Sequence, residues 1–354
     1  MSQLPNNSLL SLANVLGQRQ EPHRASLAEP PGLGALLNLG LGQGITQRTA
    51  APALSWTPTW PFVTRRFTTF IDNLALTDAQ RVDGETKFKG VVKTLNQAYW
   101  NSDSETDHAF YIGSWAKHTR IRPPRDVDLY FLLPLEVFQR FEQYKGNKQS
   151  ALLREVKDKL LASNPLSNIR GDGPVVLAAF WSFNVEIVPA FLLDANDRSY
   201  YVCDTKSGGS YKTTKPLHEV DAIESADQRN NSNVRRLVRM LKCWQAYCSV
   251  PIKSFYLELL ATGFLDQWKY RDKGIFFYDW MCRDFFEWMI PKANSYLFAP
   301  GTYEAMHVGD NWKSRAESAY SRAAKACDHE HHSKEGDAGD EWQKIFGNEI
   351  PKWV

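Results

Sequence analysis

The chain is poor in cysteine, with five in 354 residues, an odd number scattered along its length. That excludes the disulfide framework of a small secreted domain and leads us to expect reduced thiols and a cytoplasmic setting. There is no run of about 18 consecutive apolar residues, so no membrane span and no membrane partner are expected. There is almost no excess of one charge either: 42 Lys and Arg against 40 Asp and Glu leave a net +2, which does not announce a nucleic-acid binder. The beginning of the chain lacks a basic stretch followed by an apolar block, so no secretory signal is expected. What is present is an ordinary globular balance, 43% apolar and 23% charged, enough to build a core and to rule out wholesale disorder. At about 150 residues per domain, the length suggests two domains.

Residues 1–60 differ from the rest. They hold five charged residues (Arg19, Glu21, Arg24, Glu29 and Arg48), much Pro, Gly, Ser and Asn, and a Leu/Gly-rich patch from Gly32 to Ile45. We expect a flexible or loosely docked extension. Its Gly40-Leu41-Gly42-Gln43-Gly44 imitates a phosphate loop, but it follows no strand and opens no clear helix. From Phe62 to Trp100 the apolar spacing predicts two helices, interrupted at Leu76-Thr77-Asp78, which offers a fresh N-cap. Short strands are expected at His108–Ile112 and Asp126–Leu133, and a hairpin at Val175–Trp181 and Asn184–Phe191. A loop follows from Thr205 to Pro216. Ser232 to Cys248 reads as an amphipathic helix, and the aromatic-rich remainder as mostly helix. The expected fold is thus α+β, with a mixed half at 61–215 and a helical lobe at 216–354.

The informative segment is Gly113 to Leu129, GSWAKHTRIRPPRDVDL. Gly113 and Ser114 stand where a strand stops and a helical turn should begin, a place where backbone amides and a hydroxyl can approach a phosphate. In Asp126-Val127-Asp128 the strand period of two puts both carboxylates on one face and Val127 and Leu129 on the other. Paired carboxylates repel unless a cation lies between them. Hard oxygen ligands of this kind suit Mg²⁺ together with substrate phosphates. Glu186, between Val185 and Ile187 in an apolar run where charge is costly, is the candidate third acid.

With these residues in view, the chain resembles the DNA polymerase beta type nucleotidyltransferase superfamily. Within it, the chain is similar to the cGAS/DncV-like nucleotidyltransferases (CD-NTases), relatives of cyclic GMP-AMP synthase and oligoadenylate synthetase. The residues that carry the likeness are Leu74–Gln80 (LALTDAQ), Gly113–Pro134, Val185–Phe191 (VEIVPAF), Lys253–Leu260 (KSFYLELL) and Trp342–Gly347 (WQKIFG), covering roughly 62 to 354. One departure is the third acid, often Asp in the wider superfamily and here Glu186. The resemblance implies a nucleotidyltransferase fold, with Asp126, Asp128 and Glu186 as catalytic residues and ligands of two Mg²⁺ ions, which Mn²⁺ could replace. It implies ATP, GTP or other ribonucleoside triphosphates as substrates and a cyclic di- or trinucleotide as product. That product would signal to a downstream effector in defence against phage, under a regulatory protein or a phage-derived activator. The chain ends Lys352-Trp353-Val354, without the terminal glycine through which some relatives would be conjugated to a target.

Between Arg229 and Lys253 stand six basic residues and no acid. Arg235, Arg239 and Lys242 share one helical face, which is either a solvated basic face or, opposite a carboxylate centre, a holder for a triphosphate. The family likeness narrows the phosphate contacts to Lys242 and Ser254, places Phe255 for stacking on a base, and adds Asp310 as a nucleotide contact. Lys117, Arg122 and Arg125 add local positive charge that focuses anions despite the small total. Cys327-x-His329-x-His331-His332 fits no usual zinc spacing and reads as an exposed polar loop. His118 reads as a turn residue and the aromatic run Ile275–Met289 as core. Two other functions use the same motifs: an RNA 3′-end or antibiotic nucleotidyltransferase, and a catalytically silent nucleotide sensor.

Overall fold

The computed structural model describes residues 60–124, 126–163 and 168–354. The extension 1–59, the Gly40–Gly44 motif and Arg125 lie outside them. Among the described residues, no helix is long and apolar enough to cross a membrane.

Two helices open the described chain, α1 (Val63–Leu74) and α2 (Asp78–Trp100). The break between them is made by chemistry at Thr77. Its side chain accepts from the Gln80 amide, and the Gln80 side chain accepts from the Thr77 amide, a reciprocal capping box. Then come β1 (Ala109–Tyr111), the short turn of helix α3 (Gly113–Ala116), β2 (Asp126–Leu132), α4 (Leu135–Glu142) and α5 (Lys148–Ser163). Five more strands follow: β3 (Asn168–Asp172), β4 (Val175–Ala179), β5 (Asn184–Asp194), β6 (Ser199–Asp204) and β7 (Ser210–Thr214). The remainder holds α6 (Pro216–Arg229), α7 (Asn233–Tyr247), α8 (Ser254–Leu265), α9 (Tyr278–Met289), a ribbon of β8 (Tyr296–Phe298) and β9 (Ala305–His307), α10 (Lys313–His331) and α11 (Glu335–Phe346).

Strands β1 to β7 form one mixed sheet in the order β1-β2-β5-β4-β3, with β6 continuing beside the far half of β5 and β7 beside β6. The central pair, β2 and β5, is parallel; β1 with β2, and β4 with β5, are antiparallel. Alternation along β2 and β5 buries Val127, Leu129, Phe131, Val185 and Ile187 in a core shared with α2 and α5. The other face of these strands carries Asp126, Asp128 and Glu186 at one end and a small apolar cluster of Tyr130, Ala190, Tyr200 and Val202 beyond them. A second, larger core belongs to the helices and includes Leu237, Val238, Trp244, Leu257, Phe285, Trp312 and Trp342. It also takes in Val63, Phe67, Phe70 and Leu74 of α1, so the first described helix packs with the last ones. Arg66 on that helix is fully buried, its Nε bonded to Glu330 Oε1 at 2.8 Å and its guanidinium to the carbonyls of Glu335 and Lys352 at 3.0 and 2.6 Å.

Three expectations need correction. The stretch from Thr205 to Pro216 is not only loop: Tyr211, Thr213 and Thr214 build strand β7, whose β-branched and aromatic residues pair with β6 as an edge. Cys327 to His331 is not an exposed loop but the end of α10, with Cys327 and Glu330 buried against the helical core. Charge at exposed positions of that helix gives it its polar look. Strands β3, β6, β8 and β9 interrupt segments in which no strand was expected.

Candidate active site

Asp128 and Glu186 are opposite one another in the parallel ladder, and Asp126 faces Asn184 two positions away. Register therefore delivers the third acid: once Leu129 and Ile187 are both turned into the core, Asp128 and Glu186 both face the other side. Ligand oxygens of Asp126, Asp128 and Glu186 all lie within 4.8 Å of one another. This is the only such cluster of metal-ligating side chains among the described residues. Burial, then the charges of Asp126 and Glu186, push the Asp128 carboxyl from 3.8 up to about 7. Lys242 and Lys117 pull the carboxyl the other way without prevailing, and three hard oxygen donors fit a divalent cation such as Mg²⁺.

Gly113 brings the backbone against this cluster. It adopts a left-handed φ of +55°, and a Cβ built on it would overlap the Asp128 carboxylate. The Ile112 amide donates to the Asp128 carbonyl at 3.0 Å, fixing the turn to the strand it serves. Trp115 then anchors helix α3. Its indole N–H donates to the Asp126 carbonyl at 2.8 Å, and its ring lies so close to Gly84 of α2 that no side chain fits there.

Asp126 and Asp128 form part of the wall of a cavity of about 390 Å³, a volume in the range of small-ligand sites. Gly113, Ser114, Asp126, Asp128, Lys242, Ser254 and Phe255 all line it. Glu186 joins through its contact with the two aspartates. Ser254 opens α8 and donates its hydroxyl to Gln245 Oε1 at 2.9 Å. Asp310 is not brought into this lining: it is exposed, and its carboxylate accepts from Asn294 Nδ2 at 3.0 Å, beside the β8–β9 ribbon.

The basic face of α7 is arranged differently from a row of open cations. Arg235 Nε donates to the Lys117 carbonyl at 3.0 Å, Arg239 to the His118 carbonyl at 2.8 and 3.2 Å, and Lys242 Nζ to Thr119 Oγ1 at 2.9 Å. Three residues one helical face apart thus hold three consecutive residues of the turn that follows α3. Arg235 is further neutralised by Glu224 and Asp227. Of the three, only Lys242 reaches the cavity. The same arginines, after burial and beside Arg120, hold the His118 imidazole below its ordinary value.

Glu258 is the residue that the motifs quoted above contained without drawing attention to it. It is buried on α8, accepts from Lys242 Nζ at 2.8 Å and from Lys117 Nζ at 3.0 Å, and accepts from the Thr119 hydroxyl at 3.0 Å. Lys117 also reaches Glu219 at 2.7 Å and lies over the Phe255 ring at 4.5 Å. Burial opposes the charge on both partners, but the pairing prevails: Lys117 and Lys242 hold Glu258 below the usual carboxylate range, and Glu258 and Glu219 hold Lys117 above the usual amine range. The available signal was a lone acid in the otherwise apolar run Tyr256–Leu265, where a charge survives only with partners.

Residues 62–227 match the family model of the Second Messenger Oligonucleotide or Dinucleotide Synthetase domain (SMODS). Over this segment the chain is similar to that family. The chain is 28% identical over 182 residues to a probable cyclic nucleotide synthase of Bacillus cereus, covering 48% of this chain and 52% of that protein. It is 27% identical over 160 residues to the CBASS oligonucleotide cyclase CdnC of Escherichia coli, covering 44% and 49%. The chain therefore spans about half the length of the curated relatives it matches. In three dimensions it is similar to E. coli CdnC solved with ATP (TM-score 0.58, 18% identity, 81% of this chain and 98% of that one). It is also similar to Vibrio cholerae DncV, a cyclic AMP-GMP synthase solved with a linear intermediate (TM-score 0.61, 13% identity, 82% and 95%). These likenesses establish the nucleotidyltransferase fold. They extend it beyond the SMODS segment into the helical lobe.

Proposed function

We propose that the chain is a cyclic oligonucleotide synthase that joins ribonucleoside triphosphates into a second messenger of antiphage defence. One observation carries the reading: three carboxylates cluster at the wall of a cavity that also presents Lys242, Ser254 and Phe255, and the acids lie in a segment that matches the SMODS family model. The names of the Bacillus, E. coli and Vibrio relatives support the same product class.

In this reading Asp126, Asp128 and Glu186 hold divalent metal, Mg²⁺ with Mn²⁺ as substitute and two ions in all. When bound, such ions lower the pKa of an attacking hydroxyl and neutralise charge on the phosphates in transit. Gly113 and Ser114 offer donors to the phosphates, Lys242 a cation and Ser254 a hydroxyl, while Phe255 gives a face on which a base stacks. The ribose hydroxyl of one nucleotide attacks the α-phosphorus of another, the P–O bond to the pyrophosphate breaks, and pyrophosphate leaves. Holding the two nucleotides in line is work for the cavity walls. We assign the catalytic half to 61–215 and the nucleotide-holding lobe to 216–354, with α1 contributed to the lobe's core from upstream. CdnC has been solved with a HORMA partner, and a regulatory protein acting on this chain is part of the proposal.

Incubation with all four ribonucleoside triphosphates and Mg²⁺ or Mn²⁺ should give a phosphatase-resistant product identified by mass spectrometry. The Asp126→Ala, Asp128→Ala double variant should give none. Unchanged yield from that variant, or label appearing only on RNA ends, would overturn the assignment.

A further inference from the structure

Glu258 lines the same cavity and has no part in the transfer steps above. It stands on α8 four residues after Ser254 and three after Phe255, so all three lie on one side of the helix. Its side chain is only 5% exposed, and each carboxylate oxygen has a cation of its own. Oε1 accepts from Lys242 Nζ at 2.8 Å and Oε2 from Lys117 Nζ at 3.0 Å. An acid enclosed in this way, with both oxygens engaged, is not placed to touch substrate. What it does, it does through its neighbours.

Those neighbours close a ring. The Thr119 hydroxyl donates to Glu258 Oε1 at 3.0 Å and accepts from Lys242 Nζ at 2.9 Å, so Thr119, Lys242 and Glu258 are each bonded to the other two. The Thr119 amide in turn donates to the Ser114 carbonyl at 3.0 Å. The ring therefore joins the α3 turn, α7 and α8, the elements that bring Ser114, Lys242 and Ser254 to the cavity. An ammonium has three N–H donors. The ring engages two of those on Lys242 and leaves one for a phosphate oxygen. A lysine stem is flexible, so a fixed direction for that last N–H has to be imposed from outside. Lys117, itself held by Glu219 at 2.7 Å, secures the second oxygen of Glu258 and keeps the carboxylate from turning with the lysine.

We propose that Glu258 is a positioning residue for nucleotidyl transfer, acting through Lys242: it fixes the ammonium so that its remaining N–H meets the phosphates of the bound triphosphate. This rests on the catalytic reading above. Two consequences follow from the geometry. The loss of Glu258 is felt in rate rather than in affinity, because a neutral replacement removes an anion from beside the phosphates and so offsets the looser lysine in binding, while the alignment is not recovered. And the effect of Glu258 exists only while Lys242 is there to be held.

Pyrophosphate release by the full chain with Mg²⁺ is followed with γ-³²P-labelled ribonucleoside triphosphates, which read slow variants, and kcat is expressed per folded protein. Calorimetry with the α,β-methylene analogue of ATP gives Kd. Glu258→Gln should lower kcat at least about tenfold and leave Kd within about threefold. Lys242→Met should weaken Kd about tenfold, the size expected for one charge-assisted hydrogen bond. Adding Glu258→Gln to Lys242→Met should lower kcat no further. If the glutamine variant does not fold, Glu258→Asp, which keeps the charge and shortens the reach, should show the same pattern. A kcat near that of the unsubstituted protein, a Kd weakened as much as by Lys242→Met, or a full further loss in the Lys242→Met background would each overturn the proposal. The Asp126→Ala, Asp128→Ala control separates the two readings: product from it overturns the catalytic reading and this one together, whereas a silent control with additive losses overturns the positioning role alone.

Discussion

Gly113 stands so close to Asp128 that a methyl group on its Cα would overlap Oδ2 and lie 3.0 Å from the carboxyl carbon. Two demands therefore fall on one residue, a left-handed backbone and the absence of a side chain. Gly113→Ala should cost about 1–2 kcal/mol from backbone conformation alone. It should also displace Asp128, and a displacement of about an ångström at a reacting centre is worth about 100-fold in rate. Product yield should fall by that order with a modest drop in melting temperature. Full turnover by the alanine variant would show that Asp128 need not occupy this position.

Asp128 sets a pH dependence with a definite sign. Burial and its two acidic neighbours raise its carboxyl to about 7 from 3.8. Between those values the folded, metal-free protein binds a proton that the unfolded chain does not, so this group's contribution to stability is complete below about 4 and is lost as pH rises to 7. Asp128→Asn removes the contribution. In chelator, the variant should be the more stable protein at pH 8, and its advantage should shrink as pH falls toward 4. Urea titrations of both proteins across that range measure the difference, and saturating Mg²⁺ should abolish the advantage at pH 8. A constant difference would mean that Asp128 does not hold the proton.

Glu258 binds two lysines in a place where neither has much water. Removing one partner from a buried pair typically costs about 3–5 kcal/mol, because the remaining charge stays behind. Glu258→Ala should show a loss of that order in chemical denaturation. Adding Lys242→Met should give back at least about 1 kcal/mol, since the orphaned ammonium is then gone. Strictly additive losses would show that the two side chains are not coupled.

Arg239 grips the His118 carbonyl from α7 and makes no contact with the cavity. Arg239→Ala should cost about 1 kcal/mol in stability and lower turnover several-fold, by loosening the turn that seats Gly113 and Ser114. Arg239→Lys should recover part of the turnover, because an ammonium can still donate to that carbonyl. Steady-state rates for the three proteins at saturating triphosphate provide the check.

Much of the acidic wall was legible because its signals are local or periodic. A period of two placed Asp126 and Asp128 on one side, an apolar frame marked Glu186, and the capping residue at Thr77 separated two helices. The arrangement of the basic helix was not legible. Spacing put Arg235, Arg239 and Lys242 on one face, but what that face meets is decided by residues about 120 positions earlier in the chain. The Cys327–His332 segment misled for a related reason: Asp328 and His332 are exposed on a helix whose buried side is carried mostly by alanines, a weak hydrophobic signal. Strand β7 was hidden by the glycines just before it. Asp310 rested on family likeness alone, and its carboxylate accepts from Asn294.

Helix α1 has partners near the other end of the sequence. Arg66 meets Glu330 across 264 residues of sequence and the Lys352 carbonyl across 286. During synthesis on the ribosome this helix emerges with its apolar stripe and its guanidinium unmatched, and it must wait for almost the whole polypeptide before it can dock. The sheet and its acids can assemble earlier from contacts nearer in sequence. A nascent or truncated product lacking the last few dozen residues would then carry a formed acidic wall beside an unfinished lobe, which makes docking of the final helices a late checkpoint in maturation.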